Sequence, residues 1–186
     1  MTGSLIAKRY AKALFDLSLE LKVIEDIKDD MELIISVCGS NKDFNHLLAS
    51  PVIHAEKKQK VITSIFKGKI SDLSLRYLDI ITRKKRESFI KQIAEEYIVA
   101  YKKFKNIFTI YFESATELSD DLRKKVIKLL EDQTRANIEM IEAIKKELIG
   151  GFVLKYNDYK YDASIDYMLR RLKKSSAEVN LYKREI

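Results

Sequence analysis

The sequence predicts a mainly α-helical protein: an N-terminal six-helix bundle over residues 1–105, then a small α+β domain over residues 106–186. Three observations carry this. Glycine occurs 5 times and proline once in 186 residues, too rarely for a fold built on tight turns. From Ile6 to Phe104, apolar residues recur every three to four positions, the period of a helix with one buried face. At Lys105-Asn106 that period gives way to the β-branched and aromatic run Ile107-Phe108-Thr109-Ile110-Tyr111-Phe112.

The first helix carries Ile6, Tyr10, Ala13, Leu14, Leu17 and Leu21. In the second, Val23, Ile27, Met31, Ile34, Ile35 and Cys38 form one apolar face, and Gly39-Ser40-Asn41 stops it. A third helix spans residues 42–48 and ends at the Ser50-Pro51 break. A fourth, over 55–66, has Val61, Ile62, Ile65 and Phe66 as its apolar positions and ends at Lys67-Gly68-Lys69. The fifth covers 71–83. The sixth covers 87–105, with Ile90, Ile93, Tyr97, Tyr101 and Phe104 expected inward. Short links between six helices favour an antiparallel bundle.

After the strand at 107–112, Ser119-Asp120-Asp121 supplies a cap and acids for the first turn of a helix bearing Leu122, Val126, Leu129 and Leu130. Residues 138–144 read as a second strand. Residues 151–156 and 159–162 read as a hairpin about Asn157-Asp158. Asp162 or Ser164 then caps a last helix with Ile165, Met168, Leu169 and Leu172 expected inward, and a loose polar tail is expected after about residue 174. The order is strand, helix, three strands, helix.

Chemistry is hard to find in this chain. The lone Cys38 excludes an internal disulfide and lies on the apolar face of its helix, which points to a structural thiol and against a nucleophile. His46 and His54 flank the Pro51 loop without metal-ligand spacing, so neither a metal nor a cofactor is expected. Gly150-Gly151 belongs to no phosphate-binding motif and reads as relief for a close backbone approach at a strand start. No apolar run approaches the about 20 residues of a membrane span, and the N-terminus lacks a signal-peptide core, which together suggest a cytosolic chain. The formal net charge is +7; residues 1–105 hold 20 Lys+Arg against 14 Asp+Glu, and residues 106–186 hold 15 against 14. That excess, with the run Arg83-Lys84-Lys85-Arg86, leaves a nucleic-acid-binding protein as the alternative reading, although a solvated helix end explains the run better, since Glu87, Glu95 and Glu96 follow closely.

One anomaly points to a protein partner. The first helix is apolar nearly all round, with Ala7, Tyr10, Ala11, Ala13, Leu14, Phe15 and Leu17. The fifth carries Leu73, Leu75, Tyr77, Leu78, Ile80 and Ile81 on more than one face. A surface helix needs one apolar stripe, so the second face either packs deeper or receives an amphipathic helix from another chain.

Arg9-Tyr10-Ala11-Lys12-Ala13-Leu14-Phe15-Asp16, Leu48-Ala49-Ser50-Pro51-Val52-Ile53 with Glu56-Lys57-Lys58, and Ile149-Gly150-Gly151-Phe152-Val153 with Asp162-x-Ser164 and Leu169-x-x-Leu172 occur in this order. Together they resemble the delta subunit of bacterial F-type ATP synthase, the family of the oligomycin-sensitivity-conferring protein. The resemblance spans nearly the whole chain. It departs from the family pattern at Ala163, where glycine is usual, and at Asp166-Tyr167, where a basic residue is usual.

The resemblance implies a non-catalytic stator subunit, a monomer within a hetero-oligomer, which couples rotor torque to ATP synthesis driven by proton transport. It implies that the helical domain grips the N-terminal helix of an alpha subunit on the alpha/beta head, between the first and fifth helices. By motif position Tyr10, Ala13 and Ile80 match interface residues. Ala7, Ala11, Leu14, Leu78 and Ile81, on the same two helices, complete the expected groove. The α+β domain would meet the peripheral-stalk b subunits through Phe152, Leu154, Ile165, Leu169 and Leu172. Such a subunit needs no nucleic acid and does not insert into the bilayer; it sits at the cytoplasmic face of the bacterial inner membrane as a peripheral part of the complex.

Overall fold

The computed structural model describes the backbone of residues 2–156 and 159–182, and the side chains of 5–156 and 159–173. The chain divides into two compact units, Met1–Phe104 and Lys105–Ile186.

The first unit holds α1 (Thr2–Glu20), α2 (Ile24–Ser40), α3 (Lys42–Ala49), α4 (Ala55–Phe66), α5 (Asp72–Arg83), a 3-10 turn (Glu87–Phe89) and α6 (Ile90–Phe104). Local chemistry sets several of the ends. Asn41 accepts the Phe44 amide through Oδ1 at 3.0 Å and starts α3. The Ser71 Oγ accepts the Ser74 amide at 3.2 Å and starts α5. The Ser71 hydroxyl in turn donates to Asp30 at 2.6 Å, which ties the cap to α2.

α1 and α2 both pack on α6, while α4 pairs with α5. Tyr97 lies wholly inside, its hydroxyl 2.9 Å from the Ser18 Oγ and its ring edge-on to Phe15 at 5.7 Å. The Lys58 ammonium is buried too. It donates to the Leu48 carbonyl at 2.9 Å and to Glu87 at 2.6 Å, and so joins the end of α3, α4 and the 3-10 turn. Phe104, expected inward, is 56% exposed, because it is the last residue of α6 and only part of its ring meets Phe15.

The second unit holds β1 (Ile107–Ser114), α7 (Asp120–Thr134), β2 (Asn137–Ile144), a 3-10 turn (Lys146–Leu148), β3 (Phe152–Tyr156), β4 (Tyr159–Asp162) and α8 (Ile165–Tyr182). Its sheet runs β2-β1-β3-β4. β1 and β2 are parallel, joined through α7, and the other neighbours are antiparallel. The turn expected at Asn157-Asp158 lies outside the described residues.

Two expectations about the last helix are corrected. The backbone remains helical from Ile165 to Tyr182, so no loose tail begins near residue 174. Ile165, Met168, Leu169 and Leu172 also lie on exposed surface, since within the unit this helix borders mainly the 3-10 turn at Lys146–Leu148 and leaves its apolar stripe uncovered.

Gly150 and Gly151 explain how β3 meets the start of α8. A Cβ on Gly151, at φ +76°, would stand 2.2 Å from the Ala163 carbonyl oxygen; a Cβ on Gly150 would stand 2.5 Å from Ile165 Cδ1. The close approach lets the Ile165 amide donate to the Gly150 carbonyl at 3.0 Å and the Ala163 amide to that of Phe152 at 2.9 Å.

Candidate partner-binding faces

α1 presents two apolar stripes. Ala7, Ala11, Leu14, Phe15 and Ser18 are buried in the unit's core. The next stripe, Ile6, Tyr10, Ala13 and Leu17, runs at helical spacing with Ile6 and Tyr10 half-buried and Ala13 and Leu17 exposed. α5 repeats the arrangement. Ser74, Leu78, Ile81 and Thr82 are buried, whereas Leu73 and Tyr77 are half-buried and Ile80 is 51% exposed.

The Tyr10 and Tyr77 phenols lie within electrostatic range of each other. Burial, with a smaller contribution from Tyr10, holds the Tyr77 phenol well above its ordinary pKa. The groove expected over eight residues therefore narrows. Ala7, Ala11, Leu14, Leu78 and Ile81 pack inward because α6, α2 and α4 already cover those faces, and a partner cannot reach their side chains. Tyr10, Ala13 and Ile80 remain accessible, joined by the half-buried Leu73 and Tyr77, which the sequence places among the excess apolar positions of the fifth helix but not among the expected groove residues. Their spacing from Ile80, seven and three residues, was the available signal.

In the second unit Phe152 and Leu154 line an apolar cleft of about 620 Å³ between the sheet and α7. Phe112 and Tyr161 continue its sheet wall; the Phe112 and Phe152 rings stack at 5.2 Å. Leu122, Val126, Leu129 and Leu130 form the helical wall, and none of the residues of α7 is buried. α7 thus does not close down on the sheet. Ile165, Leu169 and Leu172 are absent from this lining and form a separate exposed stripe on α8, 63% exposed at Leu172.

α8 is started by Ser164, whose Oγ accepts the Tyr167 amide at 3.2 Å and donates to Asp162 at 2.6 Å. Hydrogen bonds from Ser164, then Lys160, hold the Asp162 carboxyl down to about 2.

The residues with reactive side chains are dispersed. Cys38 is buried, and burial pushes its thiol up to about 11; His46 and His54 are both exposed. Among the described residues no group of three or more His, Cys, Asp or Glu could hold a metal ion, and no helix is long and apolar enough to cross a membrane.

The chain's likeness to known proteins agrees with a docking role. The model of the ATP synthase delta (OSCP) subunit family matches residues 6–175. The ATP synthase subunit delta of Thermosynechococcus vestitus is 30% identical over 174 residues, covering 93% of this chain and 94% of that one. The subunit delta of Fusobacterium nucleatum is 31% identical over 175 residues, covering 94% of this chain and all of its own. A chain in the Toxoplasma gondii mitochondrial ATP synthase hexamer shares the fold, with a TM-score of 0.69 at 18% identity over 92% of this chain and 97% of that chain. This chain belongs to the ATP synthase delta (OSCP) subunit family, whose members are non-catalytic structural subunits of the ATP synthase.

Proposed function

We propose that this stator subunit acts as a two-ended clamp. The Met1–Phe104 unit, its six helices serving as a bundle, receives the amphipathic N-terminal helix of an alpha subunit along Ile6, Tyr10, Ala13 and Leu17 of α1 and Leu73, Tyr77 and Ile80 of α5. The Lys105–Ile186 unit receives the peripheral-stalk b subunits through the cleft at Phe152 and Leu154 and the α8 stripe Ile165, Leu169 and Leu172. The complex places the subunit at the cytoplasmic face of a bacterial inner membrane as a peripheral component.

The observation that carries this reading is the second, partly exposed apolar stripe on both α1 and α5, with Tyr10 and Tyr77 within electrostatic range of each other. Ala13 keeps the floor of that face low, so a docking helix can approach within ordinary interhelical distance. The mechanism is mechanical. Proton flow turns the rotor, torque reaches the catalytic head, and the clamp keeps the head from turning with it. That task requires tight packing at two ends and no reactive group.

Titration of the full chain with a peptide copying the N-terminal segment of the same organism's alpha subunit tests the first end. Saturable one-to-one binding is expected. Tyr10→Asp and Ile80→Asp should each weaken it about tenfold or more, since each forfeits the burial of a half-exposed apolar side chain and sets a charge against the apolar face of the peptide. Wild-type affinity in both folded variants would remove the groove from α1 and α5.

A further inference from the structure

A second surface of the Met1–Phe104 unit carries a different chemistry. At the start of α4 an open cleft of about 890 Å³ is lined by His54, Glu56, Lys57, Lys60 and Lys85. All five side chains are exposed. Among the described residues no carboxylate lies within ion-pair distance of Lys57, Lys60 or Lys85, although Lys28, Lys58, Arg83 and Lys91 of the same unit each have an acidic partner. Glu56 is the single carboxylate of the lining, against three ammonium groups. α4 is 12 residues long, and its His54 cap makes no side-chain hydrogen bond, so the positive end of the helix adds to the same field.

A second cleft of about 330 Å³ adjoins the first through His54, Ala55 and Lys85. Its lining includes Pro51 and Ile53 beside the mutually paired Lys58 and Glu87, which gives the basic surface a partly apolar flank. Lys85 therefore borders both. It is held there at φ +56° in the turn that closes α5, with its amide donating to the Thr82 carbonyl at 3.0 Å.

We infer that these joined clefts dock an acidic polypeptide segment that carries carboxylates beside an apolar side chain. The charge complement follows from three unpaired lysines. Lysine acts as a flexible point charge without the planar fork of arginine, which suits a run of carboxylates at variable spacing better than one fixed bidentate ion. The apolar flank gives the segment a direction, with acids over Lys57, Lys60 and Lys85 and an apolar residue toward Pro51 and Ile53. This surface is distinct from the α1/α5 face, and its test does not depend on that reading.

The experiment titrates the full chain with an end-capped synthetic peptide of alternating glutamate and leucine. Binding is read by amide chemical shifts and by fluorescence anisotropy at near-physiological salt. Saturable binding with the largest shifts at Ala55, Glu56 and Lys85 is expected. Lys57→Gln/Lys60→Gln/Lys85→Gln should weaken it about tenfold, the order that three exposed lysine–carboxylate contacts supply. The control Lys124→Gln/Lys128→Gln/Lys146→Gln removes equal charge from exposed positions elsewhere and should leave binding within about twofold. Inorganic pyrophosphate should not displace the peptide at matched charge. Equal losses in both variants would reduce the effect to net charge, displacement by pyrophosphate would make this a phosphate site, and absence of binding would leave no docking surface; each overturns the inference.

Discussion

The buried pair Lys58–Glu87 offers a quantitative test of how the helical unit is held together. The Lys58 side chain is 3% exposed and that of Glu87 11%, so solvent screens neither strongly. Lys58→Met removes the ammonium, leaves the Glu87 carboxylate buried without a counter-charge and takes a donor from the Leu48 carbonyl. Loss of one partner from a buried pair costs about 3–5 kcal/mol. That is a large fraction of the about 5–15 kcal/mol by which a domain is stable. At about 4–8 °C per kcal/mol for a domain of 60–100 residues, a 3 kcal/mol loss lowers Tm by about 12–24 °C. Glu87→Leu should act in the same direction, since it strands the Lys58 ammonium with only the Leu48 carbonyl as acceptor. Lys58→Met/Glu87→Leu should cost less than Lys58→Met alone, about 1–3 kcal/mol, because only the Leu48 carbonyl remains unsatisfied. Urea unfolding of the full chain, with hydrogen exchange of α4 and α6 amides to read the Met1–Phe104 unit by itself, measures all three variants. The reasoning fails if Lys58→Met stays within about 0.5 kcal/mol of wild type, or if the two single effects simply add in the double variant.

Gly151→Ala should destabilise the second unit by about 2 kcal/mol or more, since a Cβ at φ +76° is strained and meets the Ala163 carbonyl; amide exchange in β3 and β4 reports it, and unchanged protection would contradict the close approach. The Asp162 carboxyl, held down to about 2, contributes stability that is fully present above its ordinary value of 3.8 and lost as pH falls from there toward 2. Asp162→Asn should flatten the acid limb of the second unit's stability curve in that window, and an unchanged limb would refute the assignment. Cys38, with its thiol pushed up to about 11 by burial, should react with a disulfide reagent at pH 8 only on unfolding; stoichiometric reaction of the native chain at the rate of a free thiol would place it at the surface.

Much of the secondary structure was legible because its signals are local. Ser164, a cap expected from the sequence, accepts an amide three residues on and α8 begins after it, whereas Ser119, also expected to cap, precedes α7 without a side-chain cap hydrogen bond. The change of period after Lys105-Asn106 falls beside the division between the units at Phe104 and Lys105. The excess of apolar surface on α1 and α5 was visible as a count of faces. Which face turns inward was not visible. Ala7, Ala11 and Leu14 are core and Tyr10 and Ala13 are not, a choice made by the distant helices α2 and α6. For the same reason α8 was expected to bury Ile165, Leu169 and Leu172, yet the unit offers no surface that covers them. Gly150 and Gly151 marked a close approach in the sequence, but only the fold shows that Ile165 and Ala163 are what approach. Period and capping depend on neighbours within one helical turn, so the chain by itself determines them. Burial depends on which residues far along the chain arrive at each face, and only the tertiary structure decides that.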